Sequence, residues 1–303
     1  MRRGDGQVVQ SQSFGDAARK TGTIEVVSRS FEVLRCFSGL TVRLGNGDLA
    51  TRCGLPRSTV SRLTLTLTRM GLLVYLRDEQ KYRIGPGAIG MYLAMTGSPN
   101  REEQICSILN GVAAKVRGTI ALGIPDRLDI TLIEVATGAS PLHLRAERGN
   151  RFPISRSAAG LAYAAVIDAA AASDLLLQIV RKAPGEAERL ESRLEQNRLA
   201  LRECGYVIGC GLFRTHLNAI AVPFWSSLYN SYLVLSTSVL ATDYDKQRLR
   251  DEIAPLMIQS TAELGRLLQD VDGYQEQCSS HYREPYRHEA PRAPTASIAC
   301  TKS

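Results

Sequence analysis

The sequence predicts an α+β protein with a basic, helical N-terminal domain and a larger C-terminal domain in which strand pairs alternate with helices. The first 90 residues hold 14 Lys and Arg against 7 Asp and Glu, whereas the remaining residues hold 23 of each sign. Apolar residues recur mainly at helical spacing up to residue 71 and form β-branched runs after residue 118. With 303 residues the chain is long enough for two compact domains.

Both ends of the chain are polar and aperiodic. Residues 1–22, which are basic, and residues 271–303 are therefore predicted to be disordered. No apolar run approaches the roughly 20 residues that cross a bilayer, and the N-terminus lacks the apolar stretch of a signal peptide. We therefore expect a cytoplasmic protein with no membrane partner.

Residues 23–85 are predicted to form a winged helix-turn-helix domain. The first helix is marked by apolar residues at helical spacing: Ile24, Val27, Phe31 and Leu34. A short second helix begins near Asp48 and is expected to stop at Gly54, which can adopt the left-handed conformation. A third helix begins after Pro56 and ends at Gly71.

The third helix is predicted to be amphipathic. Its buried stripe comprises Val60, Leu63, Leu67 and Met70, and at 100° per residue the opposite face carries Ser58, Ser61, Arg62 and Arg69, with Arg57 beside it. Two short helices joined by a tight turn, the second presenting donors near its start, place a helix in the DNA major groove. The alternative is a small helical domain whose arginines only keep it in solution.

A two-stranded hairpin is predicted after the third helix. The segments LLVYL and KYRIG flank the charged turn RDEQ, which places Arg77, Lys81 and Arg83 near the tip or edge. We expect this hairpin to form a wing against the phosphate backbone.

Residues 86–117 are predicted to be a helical linker region whose apolar content favours burial or dimer contacts. Residues 118–270 are expected to form a sensor domain with a sheet covered by helices. Its predicted strands are 119–124, 130–135, 218–225 and 231–239, and its predicted helices are 158–180, 186–204 and 244–269.

These residues resemble the IclR family of bacterial transcriptional regulators. The similarity is carried by IEVVSRSFEVLRCFS, GDLATRCGLPRSTVSRLTLTLTRMGLL and KYRIGPGAIGMYLAM, and more weakly by RFPISRSAAGLAYAA, GYVIG, NAIAVPFW and LVLSTSV. It covers roughly residues 23–270. The resemblance implies a winged helix-turn-helix domain that dimerises, a linker helix, a C-terminal effector-binding domain with a GAF-like fold, and assembly as dimers or tetramers. The expected partners are a double-stranded DNA operator and a small organic acid or aromatic effector.

The resemblance also implies functional residues. The DNA contacts of the recognition helix would come from Arg57, Ser58, Thr59, Ser61 and Arg62, and Arg69, Lys81 and Arg83 complete the DNA-binding candidates. The effector pocket would involve Ala158, Ala159, Ala219, Ser236 and Ser238. Ser236 and Ser238 are two apart on a strand and so face the same side, where two hydroxyls can hold a carboxylate. Backbone N–H groups at the start of the alanine-rich helix can bind an anion.

The sequence departs from the family pattern around this pocket. No acidic run follows Tyr206, Ala219 stands where a polar residue or cysteine is common, and Leu161 stands in place of a lysine. These departures favour an apolar pocket and an aromatic or otherwise hydrophobic acid. Arg214 or His216 could supply an anion partner, or both could lie on the surface. A pocket that binds nothing is a further alternative.

Two other functions are open at this point. One is an enzyme with a basic accessory domain, but the chain contains no GxSxG, HExxH, GxGxxG or P-loop pattern. The other is a thiol-responsive regulator that acts through Cys204 and Cys210. The seven cysteines and four histidines are scattered without zinc-ligand spacing. We therefore expect no catalytic residue, no metal and no cofactor.

Overall fold

A computed structural model describes residues 24–37, 42–96, 99–139 and 146–269. The segments predicted to be disordered, 1–22 and 271–303, lie outside these residues. The chain divides into two compact units, one up to residue 97 and one from residue 98.

The described residues of the first unit form three helices, a hairpin and a fourth helix. The elements are α1 (Glu25–Arg35), α2 (Asn46–Cys53), α3 (Arg57–Arg69), β1 (Leu73–Leu76), β2 (Lys81–Ile84) and α4 (Gly87–Thr96). The turn between α2 and α3 confirms the prediction at Gly54, which has φ +65° as the C-cap of α2. At the other end of α2, the Asp48 carboxylate accepts the backbone N–H of Gly45 at 3.0 Å, as expected of an acidic residue in a first turn.

A small apolar core joins α1, α2, α3 and the hairpin. Its buried residues are Val33, Leu44, Leu49, Val60, Leu63, Leu67, Leu72 and Leu73. The prediction that Met70 belongs to the buried stripe is wrong, since its side chain is 65% exposed. The helix ends at Arg69, and Gly71 adopts φ +74° to turn the chain, so that Leu72 and Leu73 fill the core beyond Leu67 instead.

The second unit places six strands of the described residues in one antiparallel sheet with the order β5-β4-β3-β8-β7-β6. The elements are α5 (Pro99–Ala113), β3 (Gly118–Asp126), β4 (Asp129–Thr137), β5 (Arg151–Pro153), a 3-10 turn (Ile154–Arg156), α6 (Ala158–Val166), α7 (Ala169–Lys182), α8 (Pro184–Cys204), β6 (Val207–Cys210), β7 (Leu217–Ser226), β8 (Ser231–Leu240), α9 (Lys246–Arg248), a π-helical segment (Leu249–Ile253) and α10 (Ala254–Leu267). The four predicted strands fall within β3, β4, β7 and β8.

Helices cover both faces of this sheet. On one face, α5 and α10 pack against alternate residues of the central strands, among them Ile120, Ile220 and Leu235. On the other face, α6 and α8 pack against Ala221 and Val234. The strand residues alternate between these two cores, as the two-residue repeat of a strand requires.

The structure differs from the sequence-based expectation in two helical regions. The predicted helix 158–180 is two helices, because Asp168 caps α7 by accepting the backbone N–H of Ala171 at 2.8 Å. The predicted linker 86–117 contains α4 and α5, and α5 contributes Leu109 and Val112 to the core of the second unit.

Candidate DNA interface and effector cavity

Helix α3 presents polar side chains on one exposed face. Arg57, Ser58, Ser61, Arg62 and Arg69 are exposed, and Thr59 is half-buried at the edge of the same face. The opposite side of the helix is held in the core of the unit by apolar residues and by the fully buried Thr64. The packing therefore leaves six of the eight predicted DNA-binding residues on a single surface of α3.

The start of α3 also suits an anionic partner. Pro56 is the N-cap, and it has no side chain that could accept a hydrogen bond from the first N–H groups of the helix. These groups carry the positive end of the helix dipole, and Arg57 and Arg62 lie in the first two turns beside them. Phosphate is the anion that such helix starts commonly bind.

The hairpin carries the remaining two predicted DNA-binding residues. Lys81 and Arg83 stand opposite Leu76 and Val74 in the antiparallel register. Because strand residues alternate, their side chains point away from the face that contributes Leu73 to the core. Arg83 is exposed and Lys81 is half-buried. Both cations thus lie on the outer face of the wing.

Short contacts hold the wing in place. The backbones of Leu44 and Tyr82 exchange two hydrogen bonds of 3.0 and 2.8 Å. Arg43 forms an ion pair with Glu79 in the turn of the hairpin. The hairpin is therefore anchored to the segment that precedes α2.

A cavity lies between the sheet and the start of α6 in the second unit. The five predicted effector residues line it: Ala158 and Ala159 at the start of α6, Ala219 on β7, and Ser236 and Ser238 on β8. Strand pairing explains this convergence, because Ala219 stands opposite Ser238 in the register. The structure thus brings together residues that are up to 80 positions apart in the sequence.

Further lining residues were not predicted. They are Thr119, Ala121, Ile130, Leu132, Ala146, Phe152, Ser157, Gly209, Leu212, Phe213, Leu217 and Thr237. Thr119 stands opposite Ser238 on β3, which adds a third hydroxyl to the same patch. The period-two pattern of the predicted strand 119–124 already grouped Thr119 with Ala121. Only the pairing of strand β3 with strand β8 shows that Thr119 and Ala121 face the cavity.

The described lining residues are apolar or hydroxyl-bearing, and none of them carries a charge. Ser157 is the N-cap of α6. Its hydroxyl already has two partners within the protein, because it donates to the carbonyl of Pro153 at 2.9 Å and accepts the N–H of Gly160 at 3.1 Å. Ser236 donates to the carbonyl of Ala121 at 3.4 Å. The Ser238 hydroxyl has no hydrogen-bond partner among the described residues. It is therefore the lining serine best placed to donate to a ligand.

Arg214 and His216, the two residues considered as anion partners, are exposed and do not line the cavity. The Arg214 guanidinium lies 5.6 Å from the ring centroid of Phe213. Of the two alternatives for these residues, the structure favours the surface position. Neither Cys204 nor Cys210 forms a disulfide bond, and Cys210 is exposed.

Ion pairs hold in place the segment that contains Ala146, one of the residues that line the cavity. Two residues further on, Arg148 forms ion pairs with Glu102 and with the buried Glu134, whose carboxylate also accepts a hydrogen bond from the Cys106 thiol at 3.0 Å. Burial and the bond to Glu134 raise the pKa of the Cys106 thiol. The network ties this wall of the cavity to α5 and β4.

Two other features are absent from the described ranges. No three His, Cys, Asp or Glu side chains gather there in a way that could hold a metal ion. No helix of the described residues is long and apolar enough to cross a membrane.

Both units match one protein family. The IclR helix-turn-helix domain matches residues 26–77, and the C-terminal domain of bacterial transcriptional regulators of the IclR type matches residues 101–265. The chain belongs to the IclR family of bacterial transcriptional regulators, and its first unit is the DNA-binding helix-turn-helix domain of that family.

Individual relatives agree with this assignment. The HTH-type transcriptional regulator TsaQ1/TsaQ2 of Comamonas testosteroni is 24% identical over 247 residues, which span 80% of this chain and 88% of that protein. The HTH-type transcriptional regulator XynR of Escherichia coli is 26% identical over 231 residues, which span 75% of this chain and 90% of that protein. These relatives are transcriptional regulators.

Solved structures share the fold. An IclR family regulator from Brucella abortus superposes with a TM-score of 0.68 at 24% identity, covering 86% of this chain and 99% of its own. An IclR homologue from Microbacterium hydrocarbonoxydans, complexed with 4-hydroxybenzoate, gives a TM-score of 0.59 at 21% identity over 80% of this chain and 98% of its own. The antiparallel sheet between helices is consistent with the predicted GAF-like fold.

Proposed function

We propose that this regulator binds a pseudo-palindromic operator as a homodimer and that an aromatic or otherwise hydrophobic carboxylic acid controls its affinity for that operator. The main observation behind this proposal is the cavity of the second unit, whose lining is largely apolar and includes Ser238, with a hydroxyl that has no partner among the described residues, and Ala158 and Ala159 at the start of α6. A ligand with an apolar body and one carboxylate satisfies both parts of this lining. The relative that holds 4-hydroxybenzoate supports the same ligand class.

The proposed DNA contacts come from α3 and the wing. Arginine side chains reach guanine O6 and N7 in the major groove, and short hydroxyls suit phosphates and base edges. Arg62, exposed in the second turn of α3, is the proposed base contact, and Arg83 on the wing is the proposed phosphate contact. This placement supports docking of α3 in the major groove while the wing follows the backbone.

Self-association is supported by apolar side chains that the first unit leaves exposed. On α1, Val27 and Phe31 lie four residues apart and are 50% and 51% exposed. On α4, Ile89 and Met91 are each 58% exposed. Exposed apolar surface of this kind marks an interaction site, and a second copy of the chain is the proposed partner. A dimer would present two α3 helices to two half-sites related by the same two-fold axis.

The DNA-binding part is tested with fragments from upstream of the gene and its neighbours, at salt concentrations between about 50 and 200 mM. We expect one fragment to bind more tightly than an unrelated duplex. Arg62→Ala should remove that preference at a cost of about 1 to 3 kcal/mol. Arg181→Ala, an exposed arginine of the second unit, is the matched control. Equal binding of all duplexes by the wild type would contradict the proposal.

The effector part is tested by calorimetry on the full chain. The probes are benzoate, 4-hydroxybenzoate and hexanoate, each paired with its neutral amide. We expect an aromatic acid to bind, its amide to bind more weakly, and the bound acid to change operator affinity. No heat with any acid, or equal affinity for acid and amide, would contradict a carboxylate site.

Membership of a family of bacterial regulators has two further consequences for this protein. We propose that the protein acts in the cytoplasm, where bacterial DNA lies, and that it binds its effector without converting it. Recovery of unchanged acid after prolonged incubation with the protein tests the second point. The appearance of a product would show an enzymatic activity instead.

A further inference from the structure

Two thiols of the first unit are in direct contact. The Sγ atoms of Cys36 and Cys53 are 3.2 Å apart, and both side chains are half-buried against the small core of this unit. Cys36 directly follows α1, and Cys53 is the last residue of α2. A disulfide bond is about 2.0 Å long, so the two sulfur atoms need to approach by only about 1.2 Å.

We propose that Cys36 and Cys53 form a reversible disulfide when a hydroperoxide oxidises the protein, and that this bond lowers the affinity for operator DNA. The site differs from the Cys204 and Cys210 pair considered from the sequence. It lies within the DNA-binding domain itself. The effect on DNA rests on the proposed function, whereas formation of the bond does not.

The reaction takes place in two steps. The thiolate of one cysteine attacks a peroxide oxygen, the O–O bond breaks, and a sulfenic acid forms while the leaving oxygen takes up a proton as water or alcohol. The second thiol then attacks the sulfenic sulfur, the S–S bond forms, and the hydroxyl leaves as water. The two thiols are oxidised by two electrons in total, which reduce one peroxide. A dithiol reductant reverses the reaction.

The surroundings of the two thiols indicate which cysteine attacks the peroxide and which attacks the sulfenic acid. Burial, the hydrogen bond with the Cys36 sulfur and the negative charge of Cys36 and Glu32 raise the pKa of Cys53 to about 12. Cys53 therefore stays a neutral thiol near neutral pH, so we assign the first attack to Cys36 and the second to Cys53. Because the first attack, on the peroxide, requires a thiolate, the rate of disulfide formation should increase with pH.

The position of the pair connects it to the recognition helix. Arg52 donates a hydrogen bond to the carbonyl of Cys36 at 3.1 Å, so the ends of α1 and α2 are already joined beside the thiols. Cys53 is followed by the turn at Gly54, and α3 begins at Arg57. A shorter distance between the sulfurs draws the end of α2 toward α1 and displaces this turn. The first residues of α3 then leave the position that base contacts require.

The sequence provides a direct test of the bond. An arginine precedes each cysteine, so trypsin releases peptides 36–43 and 53–57, each with a single cysteine. After treatment of the full chain with hydrogen peroxide and alkylation of the remaining thiols, mass spectrometry should find these two peptides linked. The linked mass should appear in the wild type and in the control variant Cys210→Ser. It should be absent from Cys36→Ser and Cys53→Ser.

The same samples test the consequence for DNA. Oxidation should raise the Kd of the wild type for its operator by about tenfold or more, the size of one lost base contact, and dithiothreitol should restore it. Cys53→Ala, a second variant that removes the thiol without adding a hydroxyl, should bind the operator and should not respond to peroxide. No linked peptide, or a linked peptide with unchanged Kd, would overturn the proposal. If the reduced wild type binds no operator, the proposed function fails, while the peptide analysis still decides whether the disulfide forms.

Discussion

The buried hydroxyl of Thr64 donates a hydrogen bond to the side-chain carbonyl oxygen of Asn46 at 3.1 Å and so joins the recognition helix α3 to the first residue of α2. Thr64 is fully buried, and its hydroxyl also contacts the carbonyl of Ser61 at 3.1 Å. Asn46 would lose this partner if the hydroxyl were removed. The bond is therefore one of the contacts that set the position of α3 relative to α2.

Thr64→Val should lower the free energy of unfolding by about 1 to 2 kcal/mol, because it keeps the shape of the side chain and removes the hydroxyl. Thr66→Val is the matched control, since Thr66 is exposed on the same helix and, among the residues that the structure describes, its hydroxyl bonds only to the carbonyl of Arg62, at 3.0 Å. Urea unfolding of both variants measures the difference. An equal loss in both variants would show that the Asn46 contact contributes nothing specific.

Arg83→Ala should weaken binding to the operator and to an unrelated duplex by the same factor. The reason is that an arginine on the outer face of the wing meets phosphates, which are alike in every sequence. The slope of log K against log salt should fall by about 1. Fluorescence anisotropy over a salt series measures both quantities, with Arg181→Ala as the control. A loss confined to the operator would instead show that Arg83 reads a base.

Ser238→Ala should weaken binding of a carboxylate effector more than Ser236→Ala does. The Ser238 hydroxyl is free among the described residues, whereas that of Ser236 already donates to Ala121. A hydrogen bond to a charged group contributes about 1.5 to 3 kcal/mol, so we expect roughly a tenfold or greater increase in Kd for Ser238→Ala. Calorimetry with the best acid of the panel measures it. The reverse order of the two variants would contradict this assignment.

The stability of the second unit should depend on pH through Glu186. Hydrogen bonds from the Ser155 hydroxyl and the Arg156 guanidinium lower the pKa of this carboxyl. A lowered pKa in the folded state means that the carboxylate stabilises the fold above the pKa of the unfolded chain, near 4.3, and that this stabilisation is lost as the pH falls through the folded value. The wild type should therefore exceed Glu186→Gln in stability at pH 6, and the difference should shrink toward pH 3.

Urea unfolding across this pH range provides the measurement for Glu186. Ser155→Ala removes the main cause of the lowered pKa and should flatten the pH dependence in the same way. Glu191→Gln, which changes an exposed glutamate of the same helix, is the control. A difference between wild type and Glu186→Gln that does not vary with pH would contradict the role of ionisation.

Much of the secondary structure could be predicted because it depends on local chemistry. Gly54 and Gly205 both have positive φ, +65° and +80°, at the ends of helices where the sequence predicted them. The β-branched runs identified β3, β4, β7 and β8. The sequence did not predict the break between α6 and α7, because the alanine-rich segments on both sides of Asp168 favour one continuous helix and hide its role as a cap.

The sequence by itself determined the family, the winged helix-turn-helix domain with its polar face on α3, and the residue types of the effector region. It could do so because helical periodicity, charge segregation and local motifs are properties of neighbouring residues. Only the tertiary structure decided which residues meet. The pairing of β3 with β8 places Ala121 beside Ser236, 115 residues away, and the packing of α1 on α2 brings Cys36 against Cys53. Such contacts arise because burial of apolar surface folds distant segments together, and no local pattern in the chain records them.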